Sequence, residues 1–117
     1  MGTRSAGVVA IIPLPFSGLS QSKRRPALVL AEAGKDEFIL CQITSKQYGD
    51  SHALLLIKAV FISGSLRRES FIRVGKLFTA NQALIVEVAG RLESAKTAEA
   101  IARLDETLSA CIKDNAF

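Results

Sequence analysis

Until its last quarter, the chain places its apolar residues in short runs rather than at helical intervals. Residues 7–12, Gly-Val-Val-Ala-Ile-Ile, are almost continuously apolar and strand-forming, which predicts a strand buried on both faces and stopped by Pro13. Pro13, Pro15, Ser17, Gly18, Ser20 and Ser22 then make a connection rich in turn formers, and it ends in three consecutive cations, Lys23, Arg24 and Arg25. Pro26 opens a second apolar run over residues 27–31, closed by a hairpin signal at residues 33–36. A third strand is expected over Glu37–Thr44, with Phe38, Leu40 and Ile43 seeking the interior. Residues 52–61 suit either a short helix or a strand, and strand neighbours favour strand. Residues 70–74, 77–79 and 84–88 are further strand candidates, the last two around a turn at residues 80–82. After Gly90 the period changes. From Ser94 or Thr97, both plausible N-caps, Ile101, Leu104, Leu108, Cys111 and Ile112 fall at helical spacing, predicting a helix over about residues 95–113 with Glu99 and Arg103 as an i,i+4 pair.

Short strands followed by one amphipathic helix predict a mainly β (α+β) protein: a small, strongly curled antiparallel sheet or partial barrel capped by a C-terminal helix. At 117 residues the chain is expected to be a single domain over residues 1–117, with residues 1–6 a flexible lead-in.

Charge narrows the partner. A net charge of +4 and a pI near 9.4 favour a polyanion or an acidic protein. The two cysteines, Cys41 and Cys111, sit far apart in apolar contexts and suit core positions better than a disulfide. With a single histidine and no paired spacing, they do not supply a tetrahedral zinc set, so no metal or cofactor is expected. No signal peptide and no apolar span of about 18 residues is recognisable, which predicts a cytoplasmic protein with reduced thiols and no membrane.

The candidate chemistry gathers at the cations. Proline fixes its own φ and biases the preceding residue toward extended geometry, so Arg25 is held at the mouth of a rigid strand, where a phosphate-binding group belongs; a loop kept soluble by cations is the alternative. Thr44 ends a strand, where its hydroxyl serves a ligand or its own turn. Ser45 and Lys46 follow it. Arg67 and Arg68 form a second basic connection, suited to tracking a nucleic-acid backbone or to a solvated turn. Tyr48 suits base stacking or packing, and His52 an ordinary half-buried histidine rather than a catalyst.

The run from Pro15 through Lys23-Arg24-Arg25-Pro26 to Leu30 resembles the MazF/PemK family of toxin endoribonucleases, the toxin half of type II toxin–antitoxin pairs. The likeness continues at residues 40–46, at Gly64-Ser65-Leu66, at Ser70-Phe71-Ile72-Arg73, at residues 76–79 and at Gly90-Arg91-Leu92. It implies an SH3-like barrel, a homodimer, metal-independent and sequence-selective cleavage of single-stranded mRNA, and a cognate antitoxin as inhibitor. It places the family's arginine before proline on Arg25 and its strand-end hydroxyl on Thr44, both catalytic. Lys23, Arg24, Ser45, Lys46, Arg67, Arg68 and Arg73 are the expected RNA-binding residues. The PemK-like members carry an acidic residue two positions after the arginine that matches Arg73, and this chain has Gly75 there; it also has Val8 where relatives commonly carry aspartate. Two other functions fit the same resemblance: a toxin of the CcdB type that binds gyrase and cleaves nothing, and a degenerate member that binds RNA or antitoxin without turnover.

Overall fold

A computed structural model describes residues 6–15, 22–46 and 49–114. The lead-in expected at residues 1–6 lies outside the described residues except for Ala6, as do residues 16–21 of the expected connection, Tyr48, and the side chain of Cys111.

Among the described residues, seven strands form one antiparallel sheet: β1 (Val8–Pro15), β2 (Ser22–Gly34), β3 (Glu37–Thr44), β4 (Leu54–Leu56), β5 (Phe61–Gly64), β6 (Ser70–Asn81) and β7 (Glu87–Leu92). The helix α1 (Ser94–Asp114) follows. The spatial order is β4-β6-β3-β2-β1-β7-β5, so consecutive strands β4 and β5 occupy opposite edges. Only residues 57–60 join them. Fully extended, that link reaches about 18 Å, whereas six gaps of a flat sheet would span about 29 Å. The sheet must therefore curl until its edges approach, giving the expected half-barrel with a C-terminal helix.

Residues 8–10, Ile12 and residues 27–30 are buried, as the apolar pattern predicts, while Ile11 is half-buried and Ala31, expected inside the second run, is exposed. Val9, Leu28, Cys41, Ile43, Ile72 and Val74 form one core cluster with Ala100 of α1. Val8, Ala10, Ile12, Ala27, Val29, Phe38 and Leu40 form the other.

Several boundaries move, each for a backbone reason. Pro13 does not stop β1. Ile11 turns its carbonyl toward the backbone N–H of Val86 (2.8 Å), and alternation sends the missing N–H of Pro13 and Pro15 to that same side, beyond the last β1–β7 pair, Ile11 with Glu87. β1 thus continues and pairs Ile12, Pro13 and Leu14 with Arg25, Arg24 and Lys23. The cations accordingly sit within a strand, not in the loop ahead of one. The strand expected over 52–61 shrinks to β4, because the chain must leave one sheet edge, pass through a 3-10 turn at Lys58–Val60 and start β5 at the other. Conversely, the candidates at 70–74 and 77–79 are one strand, β6, bulged so that Arg73 pairs with Gln42 and Leu77 with Cys41. Leu84 belongs to a second 3-10 turn, Gln82–Leu84, capped by the side chain of Asn81, and β7 starts at Glu87.

Neither expected N-cap caps α1. The carbonyl of Glu93 accepts from the N–H groups of Lys96 and Thr97 (3.1 Å each), which puts Ser94 in the first turn and Thr97 inside the helix. The helix lies on the sheet through Thr97, Ala100 and half-buried Leu104, leaving Ile101, Leu108 and Ile112 exposed. The expected Glu99–Arg103 pair is replaced by Lys96–Glu99 (3.0 Å) and Arg103–Glu106 (3.5 Å). No helix among the described residues is long and apolar enough to cross a membrane.

Candidate functional site

An open hollow of about 220 Å³ lies where β2, the end of β3 and the β5–β6 connection meet. Arg24, Arg25, Pro26, Ile43, Thr44, Ser45, Leu66, Arg67, Arg68 and Ser70 line it. Three segments distant in sequence thus bring four guanidiniums and three hydroxyls to one place, with no carboxylate in the lining.

Sheet register explains the convergence. Ala27 pairs with Gln42, and continuing that register by two residues sets Arg25 opposite Thr44. Thr44 in turn pairs with Phe71, and Gln42 with Arg73. Because paired residues share a face and alternate residues along a strand do too, Arg25, Thr44, Gln42 and Arg73 stand on one face of three adjacent strands. Arg73 belongs to the row next to Thr44, about 7 Å along the strands.

Arg25 is half-buried, whereas Arg24, Ser45, Arg67 and Arg68 are exposed around it. Thr44 is buried, with 4% of its surface exposed, and its Oγ1 accepts the backbone N–H of Lys46 at 3.2 Å. That bond uses an acceptor and leaves the hydroxyl proton as a donor. The hydroxyl of Ser70 donates to the carbonyl of Arg68 (3.1 Å), tying the Arg67-Arg68 connection to the start of β6.

Of the expected site residues, Arg24, Arg25, Thr44, Ser45, Arg67 and Arg68 come together at the hollow. Lys46 touches it only through its bond to Thr44, and Lys23 lies further out on β2, exposed and paired with Leu14. Arg73 is outside the lining: its Nε donates to Oδ2 of Asp50 at 3.0 Å, with both side chains mostly buried. The other oxygen of Asp50, Oδ1, accepts the N–H of His52 (2.9 Å). These two bonds, that from Arg73 foremost, hold the Asp50 carboxyl below the usual carboxylate range. The carboxylate facing Arg73 therefore comes from position 50, across the sheet edge.

Sequence reasoning missed Asp50, Gln42 and Ser70. Asp50 is 23 residues from Arg73, and no local spacing signals such a pair. Gln42 had a usable signal, a polar side chain inside an otherwise apolar strand. Its Oε1 is buried and makes no hydrogen bond among the described residues. His52 is exposed rather than half-buried and faces α1, its Nδ1 lying 3.0 Å from Oγ1 of Thr107. Among the described residues no cluster of three or more His, Cys, Asp or Glu side chains could hold a metal ion.

Chemically, this lining suits an anion. Guanidiniums present planar forks of donors matched to phosphate oxygens, and hydroxyls add single donors.

The sequence profile of PemK-like, MazF-like toxins of type II toxin–antitoxin systems matches residues 5–108. Solved structures share the fold at low identity. One is a chain of the MazE-MazF crystal structure (Form-II) from Deinococcus radiodurans, with 22% identity, a TM-score of 0.69, and coverage of 93% of this chain and 98% of that one. Another is the Mycobacterium tuberculosis toxin MazF-mt6, with 18% identity, a TM-score of 0.61, and coverage of 86% and 93%. A third is an endoribonuclease in complex with its cognate antitoxin from a mycobacterial species, with 14% identity, a TM-score of 0.61, and coverage of 92% and 93%. No curated protein sequence matches significantly. With the family profile spanning most of its length, this chain belongs to the PemK-like, MazF-like toxins of type II toxin–antitoxin systems.

Proposed function

We propose that the protein is a metal-independent, sequence-selective endoribonuclease that cleaves single-stranded mRNA, acting as the toxin of a toxin–antitoxin pair. The observation that carries this reading is the hollow itself: four arginines and three hydroxyls around one space without a carboxylate. Such a lining attracts a phosphodiester and offers a divalent cation no anionic ligand.

Cleavage would proceed by attack of the ribose 2′-hydroxyl on the adjacent phosphorus, forming the O2′–P bond and breaking the P–O5′ bond; solvent water takes the 2′ proton and supplies a proton to the leaving 5′-oxygen, so the products are a 2′,3′-cyclic phosphate and a 5′-hydroxyl. The transition state gathers negative charge on the non-bridging oxygens. Arg25, half-buried and fixed ahead of Pro26, would meet that charge with its donor fork, and Thr44 would donate its hydroxyl proton to a phosphate oxygen or orient the attacking hydroxyl. An arginine with a pKa above about 12 does not shuttle protons at neutral pH. The lining contains no side chain that is a base there, so the acceleration rests on alignment and charge stabilisation. Lys23, Arg24, Ser45, Lys46, Arg67, Arg68 and Arg73 would bind the RNA on either side of the cleaved phosphate.

The same cationic surface suits the acidic segment of a cognate antitoxin, and solved neighbours include toxins held with antitoxins. A second copy of the chain is the expected partner, and exposed Ile62 and Ile101, which border a hollow with Leu92 and Ala98, offer it apolar surface. An enzyme acting on mRNA works in the cytoplasm.

The test is cleavage of a mixed single-stranded RNA pool by purified protein in excess EDTA, beside Arg25→Ala. Cuts at a short shared sequence, lost in the variant, are expected. Folded wild-type protein that cuts no RNA pool overturns the reading and directs attention to gyrase binding.

A further inference from the structure

The fold brings the carboxylate of Asp50 against Arg73, on the face shared with Arg25 and Thr44, and Asp50 is outside the lining of the hollow. Both of its oxygens are engaged, Oδ2 by Nε of Arg73 and Oδ1 by the N–H of His52. The segment carrying it is braced from behind by α1. Nη1 of Arg103 donates to the carbonyl of His52 (3.3 Å), and Oγ1 of Thr107, which itself donates to the carbonyl of Arg103 (2.8 Å), meets Nδ1 of His52. A continuous set of polar contacts therefore runs from the helix, through residues 50–52, to Arg73 on the face shared with Arg25 and Thr44.

The chemistry of this arrangement is orientation, not proton transfer. A carboxylate bonded to Nε fixes the plane of the guanidinium and with it the direction of the outer N–H groups. Arginine otherwise samples many rotamers, and ordering it at the moment of binding costs free energy. A negative charge beside a polyanion path also has a price in affinity, which a purely attractive surface would avoid.

We propose that Asp50 is a positioning residue of the ribonuclease site, holding the Arg73 guanidinium in the orientation that aligns an RNA phosphate with Arg25 and Thr44. This rests on the ribonuclease reading above. It extends that reading by assigning a role to a carboxylate from another segment.

The role separates binding from turnover. Asp50→Ala removes a negative charge, so KM for RNA is expected to stay level or fall, while kcat drops about ten- to a hundredfold as the phosphate loses alignment. If Asp50 acts through Arg73, the two changes are not independent, and kcat of the double variant Asp50→Ala, Arg73→Ala matches that of Arg73→Ala alone. Asp50→Asn keeps the volume and one acceptor oxygen and is expected to lose less kcat than Asp50→Ala. It also serves where Asp50→Ala fails to fold. The experiment is steady-state cleavage of one short single-stranded RNA by the wild type, both single variants, the double variant and Asp50→Asn, each checked for folding by thermal unfolding. A kcat in Asp50→Ala equal to wild type, or losses that multiply in the double variant, overturns the inference and leaves the ribonuclease standing. Wild-type protein that neither binds nor cuts RNA overturns both.

Discussion

Thr44 and Lys46 are joined by a hydrogen bond of 3.2 Å, donated by the backbone N–H of Lys46 to the buried Oγ1 of Thr44. One hydroxyl thus closes the turn that leaves β3 and, at the same atom, keeps its proton as a donor. The two duties separate by substitution. Thr44→Val keeps the shape and loses both, and is expected to cost about 1 kcal/mol of stability and about a hundredfold or more in kcat, by analogy with loss of one transition-state donor. Thr44→Ser keeps the hydroxyl and is expected to retain cleavage within about tenfold. Thermal unfolding and RNA cleavage on the same preparations check this. A Thr44→Val protein that is less stable but fully active leaves Thr44 with the turn alone.

The pH dependence of stability carries the signature of Asp50. Its carboxyl titrates below the unfolded value, held down by the hydrogen bond from Arg73 and then by that from His52. A depressed acid stabilises the fold at every pH above its unfolded pKa of about 3.9, and the contribution disappears as pH falls through the lower, folded value. The difference in Tm between the wild type and Asp50→Ala should therefore be constant from pH 7 to about pH 5 and shrink below about pH 4. Differential scanning calorimetry across that range measures it. A difference that stays constant through the acid range would show that the carboxylate charge contributes nothing to the fold.

How much of this was legible in the sequence follows from which interactions are local. The strands expected over residues 27–31 and Glu37–Thr44, the hairpin between them and the terminal helix were visible because apolar pattern and turn residues act over a few positions. Asp36 illustrates the hairpin: it adopts φ 60° in the turn, a conformation aspartate tolerates. The extension of β1 through Pro13 was not visible, since proline is a strand breaker only where its missing N–H would face a neighbour. The division of residues 52–61 between two sheet edges depends on closure of the whole half-barrel. Within the site, Arg25, Thr44, Arg67 and Arg68 were each recognisable from motif or charge, whereas Asp50 required the fold.

Cys41 offers a check on the core that does not involve RNA. It is fully buried, and burial pushes its thiol up to about 12. The thiolate is the reactive form, so at pH 8 the native protein should not be labelled at Cys41 by a thiol reagent, while protein unfolded in urea should be labelled promptly. Peptide mapping by mass spectrometry reads the position directly. Rapid native labelling of Cys41 would mean that this part of the sheet opens far more readily than a core strand. Cys41→Ser, which puts a hydroxyl among Val9, Leu28 and Ile43, should destabilise by about 1–3 kcal/mol.

Gly64 and Gly90, which the sequence marks only as parts of two short motifs, are where the edge strand β5 closes on β7. They pair directly, and Gly64 has φ 67°, in the left-handed region that favours glycine. A Cβ on Gly64 would run into the carbonyl of Ala89 and, at 2.6 Å, the Cα of Gly90, all backbone, which cannot swing aside. A Cβ on Gly90 would meet the ring of Phe61 at 2.9 Å and the carbonyl of Ser63. Gly64→Ala therefore combines backbone strain with loss of the strand contact, and should cost about 3 kcal/mol. Gly75 is the control. It lies in the bulge of β6 with no atom within 4 Å of an added Cβ and without a positive φ, so Gly75→Ala should be neutral or stabilise by up to about 1 kcal/mol. Urea unfolding of the two variants separates them. Because β5 leads directly into Arg67 and Arg68, Gly64→Ala should also weaken RNA binding, and a destabilised variant that binds RNA as the wild type does would mean that the basic connection holds its place without the β5–β7 closure.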